Sequence, residues 1–251
     1  MDYSSYVSSI SFRFLQPDMP PSTPTGYRTI VKVLQKFGST PEFINTSIPN
    51  DEREMKTRFR DIGKIPRMST LAIGAMINKG ISQMPDDQVF LNIGVWNGFT
   101  FLSGLVSNPL KKCIAVDNFS QFGAEDIPLF GDPRSAFYER FHNYKSPNHY
   151  FYEMDYLEYF SKVHQDPIGF YIYDGEHSYE NQLRGLQVAE PFLAKDCLVL
   201  IDDTNWHEPR QATLDFIAQS SADYRIILDK QTHCNYHPTL WNGIMILQKM
   251  N

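Results

Sequence analysis

The chain has 251 residues, 42% of them hydrophobic and 21% charged, which is material for one large domain with a substantial core and excludes global disorder. Its 29 acidic and 23 basic side chains leave a formal charge of −6, the wrong sign for gripping nucleic acid through its phosphates or for binding an anionic membrane surface. Three scattered cysteines, Cys113, Cys197 and Cys234, make neither a C-x-x-C ligand pair nor an even disulfide set. The opening MDYSSYVSSISF lacks the basic and apolar regions of a secretory signal. No run approaches the roughly 18 apolar residues that span a bilayer, so the expectation is a cytoplasmic protein.

Residues 1–85 read as an N-terminal arm and helical cap. Met1 to Pro49 is rich in Ser, Thr and Pro, and PDMPPSTPTG cannot hold a helix, because proline removes donors and restricts its neighbours. Tyr27 to Phe37 places Ile30, Val31, Val33, Leu34 and Phe37 near one helical face. Met68 to Met84 repeats the pattern, with Ser69 or Thr70 as N-cap. From residue 86 the grammar changes to short apolar runs: QVFLNIG, KKCIAVD, HYFYEMD, GFYIYDG, CLVLIDD, DYRIILD and GIMILQK. Helical segments such as Tyr179 to Leu193 separate most of them. Strands alternating with helices predict an α/β fold: a Rossmann-like, doubly wound, mostly parallel sheet of seven strands over 86–251, covered by helices. The last two runs are joined by about a dozen residues without a helical pattern, so a hairpin makes the final strand antiparallel.

In such a sheet the ligand crevice lies beyond the carboxyl ends of the strands. Gly94 and Gly98 close the first strand and open the next helix, where they admit a ligand close to the backbone or simply permit a tight turn. The third glycine of G-x-G-x-x-G is missing, which counts against a dinucleotide. Asp117, ending the second strand, suits the two hydroxyls of a ribose, or an N-cap; Asp155, ending the third, suits a base amine or the cap of a helix from Tyr156. After the fourth and fifth strands come Asp174-Gly175-Glu176-His177 and Asp202-Asp203. Adjacent strands bring both groups together, and three converging carboxylates repel unless a cation compensates. All-oxygen ligands favour Mg, Mn or Ca; the alternative is a solvated turn. His177 is placed to sit beside such an ion and take a proton from an acidified hydroxyl.

These residues, in this order, resemble the class I S-adenosylmethionine-dependent methyltransferases, and among them the metal-dependent sugar O-methyltransferases related to the macrocin and mycinamicin enzymes. The resemblance runs from about Met68 to Met250, and D-G-x-H-S-Y followed by I-D-D carries most of it. It implies that Gly94, Val95, Asn97 and Gly98 line the methionine part of the cofactor, that Asp117, with Asn118 beside it, holds the ribose, and that Asp155 meets the adenine. It also implies that Asp174, Asp202 and Asp203 chelate magnesium or another divalent cation, that Asp174 borders the cofactor as well, and that His177 is the general base. Arg67-Met68-Ser69-Thr70 looks like the segment that closes over the cofactor, with Ser69 facing it. The family usually has an acid two residues before its first glycine, where this chain has Asn92, whose carbonyl can still accept from the cofactor's ammonium. The implied partner is a small-molecule hydroxyl acceptor, a sugar or another diol. Its fit is set by the Pro-rich arm, Phe119 to Arg134, and Trp206-His207, and the aromatic arm is a candidate for packing on a second copy. Two other readings keep the fold: a metal-dependent hydroxylase resembling the cephalosporin hydroxylases, and a non-catalytic nucleotide-binding scaffold, which Asn92 would favour.

Overall fold

The computed structural model describes residues 1–21, 41–120 and 131–251. The expected helix from Tyr27 to Phe37 and most of the segment from Phe119 to Arg134 lie outside the described residues.

Seven strands form one sheet: β3 (Val89–Ile93), β4 (Lys112–Asp117), β5 (His149–Glu153), β6 (Ile168–Tyr173), β7 (Leu193–Asp202), β8 (Tyr224–Lys230) and β9 (Ile244–Lys249). Their order is β5-β4-β3-β6-β7-β9-β8. The first five are parallel to one another, and β9 runs antiparallel to both β7 and β8. Each apolar run of the sequence is thus a strand, and the last one is reversed as its short connection required. The run CLVLIDD is the end of a longer strand than expected. β7 begins at Leu193, and left-handed Asp196 (φ 64°) coincides with a shift of its register against β6.

Alternation sorts the strand residues onto two faces. Phe90, Ala115, Phe170, Leu200 and Ile246 share one buried cluster with α4 (Leu71–Gln83), α5 (Phe99–Leu105) and α6 (Pro133–Tyr144). Leu91, Val116, Tyr171, Val199 and Leu247 share the other with α7 (Tyr156–Lys162), α8 (Tyr179–Ala189) and α9 (His207–Gln219). Helix α4 starts where its pattern predicted, with Thr70 as N-cap; that residue's Oγ1 also donates to the Thr239 carbonyl at 2.7 Å. α8 begins after the Ser178 cap, and Pro191 turns its end into a short 3₁₀ segment.

The arm is more structured than its Ser/Thr content predicted. Asp2 caps α1 (Tyr3–Ser9), which buries Tyr3, Tyr6 and Val7; Tyr3 meets the Phe170 ring edge-on at 6.4 Å. Two short strands, β1 (Ser11–Phe12) and β2 (Thr46–Ser47), pair antiparallel next to α2 (Pro41–Asn45) and α3 (Glu52–Arg58). No helix among the described residues is long and apolar enough to cross a membrane.

Candidate active site

The carboxyl ends of β3, β4, β6 and β7 open into one cavity of about 730 Å³. Its wall includes Ser69, Gly94, Val95, Asp117, Asn118 and Asp155 on the cofactor side of the sequence reading, and Asp174, His177, Asp202 and Asp203 on the other. Asn92, Asn97 and Gly98 do not line it. Asn92 is fully buried, its Nδ2 donating to the Gly94 carbonyl and its Oδ1 left without a partner. Asn97 is held from behind by Arg140, whose Nη1 donates to its Oδ1 at 2.6 Å.

The glycines have specific causes. Gly94 sits at φ +78°, and a Cβ there would lie 1.9 Å from the backbone oxygen of Asp174, so the strand ends can meet only at glycine. Its tightness therefore serves the β3–β6 junction that places Asp174. Gly98 (φ +92°) leads into α5, and a Cβ there would strike the Phe137 ring at 2.8 Å.

Asp117 is committed to the loop: Oδ2 accepts from the amides of Val95 (2.7 Å) and Trp96 (3.2 Å), and Oδ1 from Phe119 (2.7 Å). It shapes this wall of the cavity and keeps part of its lone-pair capacity unused. Asp155 caps α7, taking the Leu157 and Glu158 amides on Oδ1 alone. Asn118 Oδ1 accepts from Ser120. Ser69 is buried in the wall, and its hydroxyl has no partner.

The acidic cluster is tighter than sequence spacing alone could show. One ligand atom each from Asp174, His177 and Asp202 lies within 4.8 Å of the others. His177 Nε2 is 3.7 Å from Asp174 Oδ1 and 3.5 Å from Asp203 Oδ2. Asp203 stands slightly apart, since Asn242 Nδ2 donates to its Oδ1 at 2.8 Å. Burial, with Asp202 next to it, holds the Asp174 carboxyl well above the usual range. Burial and the same neighbour push Asp203 up to about 7, against the pull of His177 and Asn242. Asp202 Oδ1 and His177 Nδ1 are buried without partners. Crowded carboxylates, an unpartnered oxygen and an imidazole are a donor set that fits a hard divalent cation.

The sequence reading missed the far wall. Tyr236, Trp241 and Asn242, from the β8–β9 connection, line the cavity. Asn242 takes the Tyr236 amide on its Oδ1 at 2.6 Å, tying this loop to Asp203. A signal existed: Trp-Asn-Gly occurs at 96–98 and again at 241–243. In both copies the Trp and the Gly have positive φ and the Asn is buried. Of the eight non-glycine residues with positive φ among the described residues, five (Trp96, Phe119, Asp203, Tyr236 and Trp241) line this cavity. Such backbone persists where the surroundings enforce it, and it gathers at functional sites. Trp206, named in the sequence reading, lies edge-on to His177 at 5.8 Å, whereas His207 opens α9 outside the wall.

Comparison with known proteins agrees with this geometry. Residues 91–204, which contain the glycine turn, Asp117, Asp155 and all of the acidic cluster, match the family described as methyltransferase domain. No curated protein matches the chain by sequence. Among solved structures, the cofactor-bound Rv0187 from MTB superposes with TM-score 0.56 at 13% identity, covering 93% of this chain and 100% of that one. A Klebsiella pneumoniae protein, provisionally an O-methyltransferase, gives 0.56 at 11% over 89% and 97%. The SAH-bound methyltransferase PaMTH1 of Podospora anserina gives 0.53 at 14% over 94% and 100%. These likenesses establish the fold, and the matched stretch shows that the glycine turn, the strand-end acids and the acidic cluster of this chain lie within a methyltransferase domain.

Proposed function

We propose that the chain moves the methyl group of S-adenosylmethionine to a hydroxyl of a small-molecule diol, on a sugar or a comparable ring. In this reading Asp174, Asp202 and Asp203 hold a divalent cation, magnesium by its preference for oxygen, and His177 is the base. The observation that carries it is the acidic cluster beside His177, with Asp202 Oδ1 buried and unpartnered in the cavity wall. The O-methyltransferase assignment of the Klebsiella neighbour supports transfer to oxygen.

When bound, the ion supplies Lewis acidity toward a chelating diol and the cofactor supplies an electrophilic methyl group. The residues do the rest by position. Asp117 fixes the loop of Val95 and Trp96 against the ribose side, and Ser69 offers a free hydroxyl on the same wall. His177 takes the acceptor proton as the O–CH₃ bond forms and the S–CH₃ bond breaks, giving a methyl ether and S-adenosylhomocysteine. Trp206 packs edge-on against the imidazole and helps fix its orientation.

The cluster also favours a second arrangement, in which His177 is itself a ligand and Asp203 is held outside by Asn242. His177→Gln separates the two, with magnesium and cofactor binding followed by calorimetry and turnover by methyl transfer. If His177 is the base, magnesium affinity stays within about twofold while kcat falls about 10²–10⁴-fold. If it is a ligand, magnesium affinity falls by roughly 100-fold or more. Absence of cofactor heat in the wild type would refute the whole reading.

A further inference from the structure

The cavity is acidic beyond what its proposed occupants require. Six carboxylates line it: Asp117, Asp155, Asp174, Glu176, Asp202 and Asp203. Among the described residues of the wall, Arg67 is the single Lys or Arg, and its guanidinium is paired with Glu42 at 0% side-chain exposure. A divalent ion and a cofactor of single net positive charge, added to Arg67, still leave at least two negative charges uncompensated. Four of the six acids belong to the end that holds His177, where an acceptor has to sit. A negative group brought into such a low-dielectric cleft is repelled at close range, and a cation is drawn in.

The rim adds a receptor for that cation. Glu176 is exposed beside His177, steadied by Asn181 Nδ2 donating to its Oε2 at 2.5 Å. Trp206 is 37% exposed at the same mouth, and Tyr236 and Trp241 stand edge-to-face at 5.3 Å in the wall. Glu176 and these three rings line the same cavity, and a carboxylate together with indole and phenol rings is the chemistry that holds an ammonium group. The geometry points to an acceptor that bears a protonated amine on the ring carrying its vicinal hydroxyls, and to exclusion of acceptors bearing carboxylate, phosphate or coenzyme A. This rests on the diol reading above and adds the charge of the substrate to it.

Three catechols with the same ring test it: dopamine, protocatechuyl alcohol and protocatechuate, which are cationic, neutral and anionic at neutral pH. Binding is measured by calorimetry on the full chain with magnesium and S-adenosylhomocysteine, and transfer with S-adenosylmethionine. Dopamine is expected to bind about tenfold tighter than the alcohol, and the alcohol about tenfold tighter than the acid, with both ratios shrinking in high salt. Glu176→Gln should narrow the dopamine-to-alcohol ratio about threefold. Equal or tighter binding of protocatechuate overturns the inference, and so does failure of all three to bind. If magnesium and cofactor heats persist in that case, the methyltransferase reading survives without it; if they vanish as well, the site itself was misread.

Discussion

The raised carboxyl of Asp203 makes a prediction about stability that needs no substrate. An unfolded Asp titrates near 3.8, and in the folded chain Asp203 titrates at about 7. The folded state therefore binds the proton more tightly than the unfolded state. Its contribution is fully present below about pH 4 and is lost as pH rises through 7. Three pKa units at 1.36 kcal/mol each set a ceiling of about 4 kcal/mol, and the side chain is only 10% exposed, so solvent screens little of it. Asp203→Asn keeps an acceptor for Asn242 and removes the titrating group. Without divalent ion, the variant should match the wild type near pH 4 and exceed it by about 2–4 kcal/mol at pH 8, or roughly 5–15 °C in Tm for a chain of this size. Magnesium should raise the Tm of the wild type at pH 8 and do much less at pH 5, because the cation competes with the proton for the same carboxylates. Thermal and urea melts of both proteins from pH 4 to 8, with and without millimolar magnesium, decide the matter. Parallel pH profiles of variant and wild type, or no effect of magnesium at pH 8, would refute the argument that these carboxylates repel one another in a shared site.

Two further changes probe how the site is held. Gly94→Ala combines a left-handed backbone with a Cβ 1.9 Å from the Asp174 carbonyl oxygen, and should cost roughly 3–5 kcal/mol in urea melts while weakening magnesium binding through Asp174; a loss under 1 kcal/mol would contradict the close approach. Glu42→Gln strips the partner from buried Arg67, which also donates to the Gly63 carbonyl and lies over the Phe99 ring at 5.0 Å, and should cost about 3–5 kcal/mol of stability. Combining it with Arg67→Met should recover much of that loss in the same thermal melt, and no recovery would mean that the pair matters for something other than compensating a buried charge.

Most of the fold was legible because its determinants are local. Runs such as GFYIYDG and CLVLIDD are buried on both faces, so their composition names them as central parallel strands without tertiary information. The order of the strand ends then put Asp174 near Asp202, and the structure brings them within ligand distance. The roles of individual side chains were less legible, because a carboxylate at a strand end can serve a backbone or a ligand with equal economy of sequence. Asp117 and Asp155 lie where nucleotide chemistry wants them, yet their hydrogen bonds go to the amides of the glycine loop and of α7. Nothing in spacing separates the two roles, since both need an acid at the same position.

The far wall was illegible for a different reason. Tyr236, Trp241 and Asn242 reach the cavity because β9 reverses between β7 and β8, so a connection that reads as a hairpin lies beside the Asp202–Asp203 turn. The consequence is mechanical. Asn242 bonds Asp203 on one side and the Tyr236 amide on the other, and Thr70 ties the cap of α4 to Thr239 in the same loop. The acidic cluster, the aromatic wall and the segment that carries Ser69 thus share one hydrogen-bonded frame, and left-handed Tyr236 and Trp241 are stretches of that frame held in conformations the chain alone would leave. A substitution in this connection should therefore alter magnesium affinity and acceptor fit together, although none of its residues belongs to the acidic cluster.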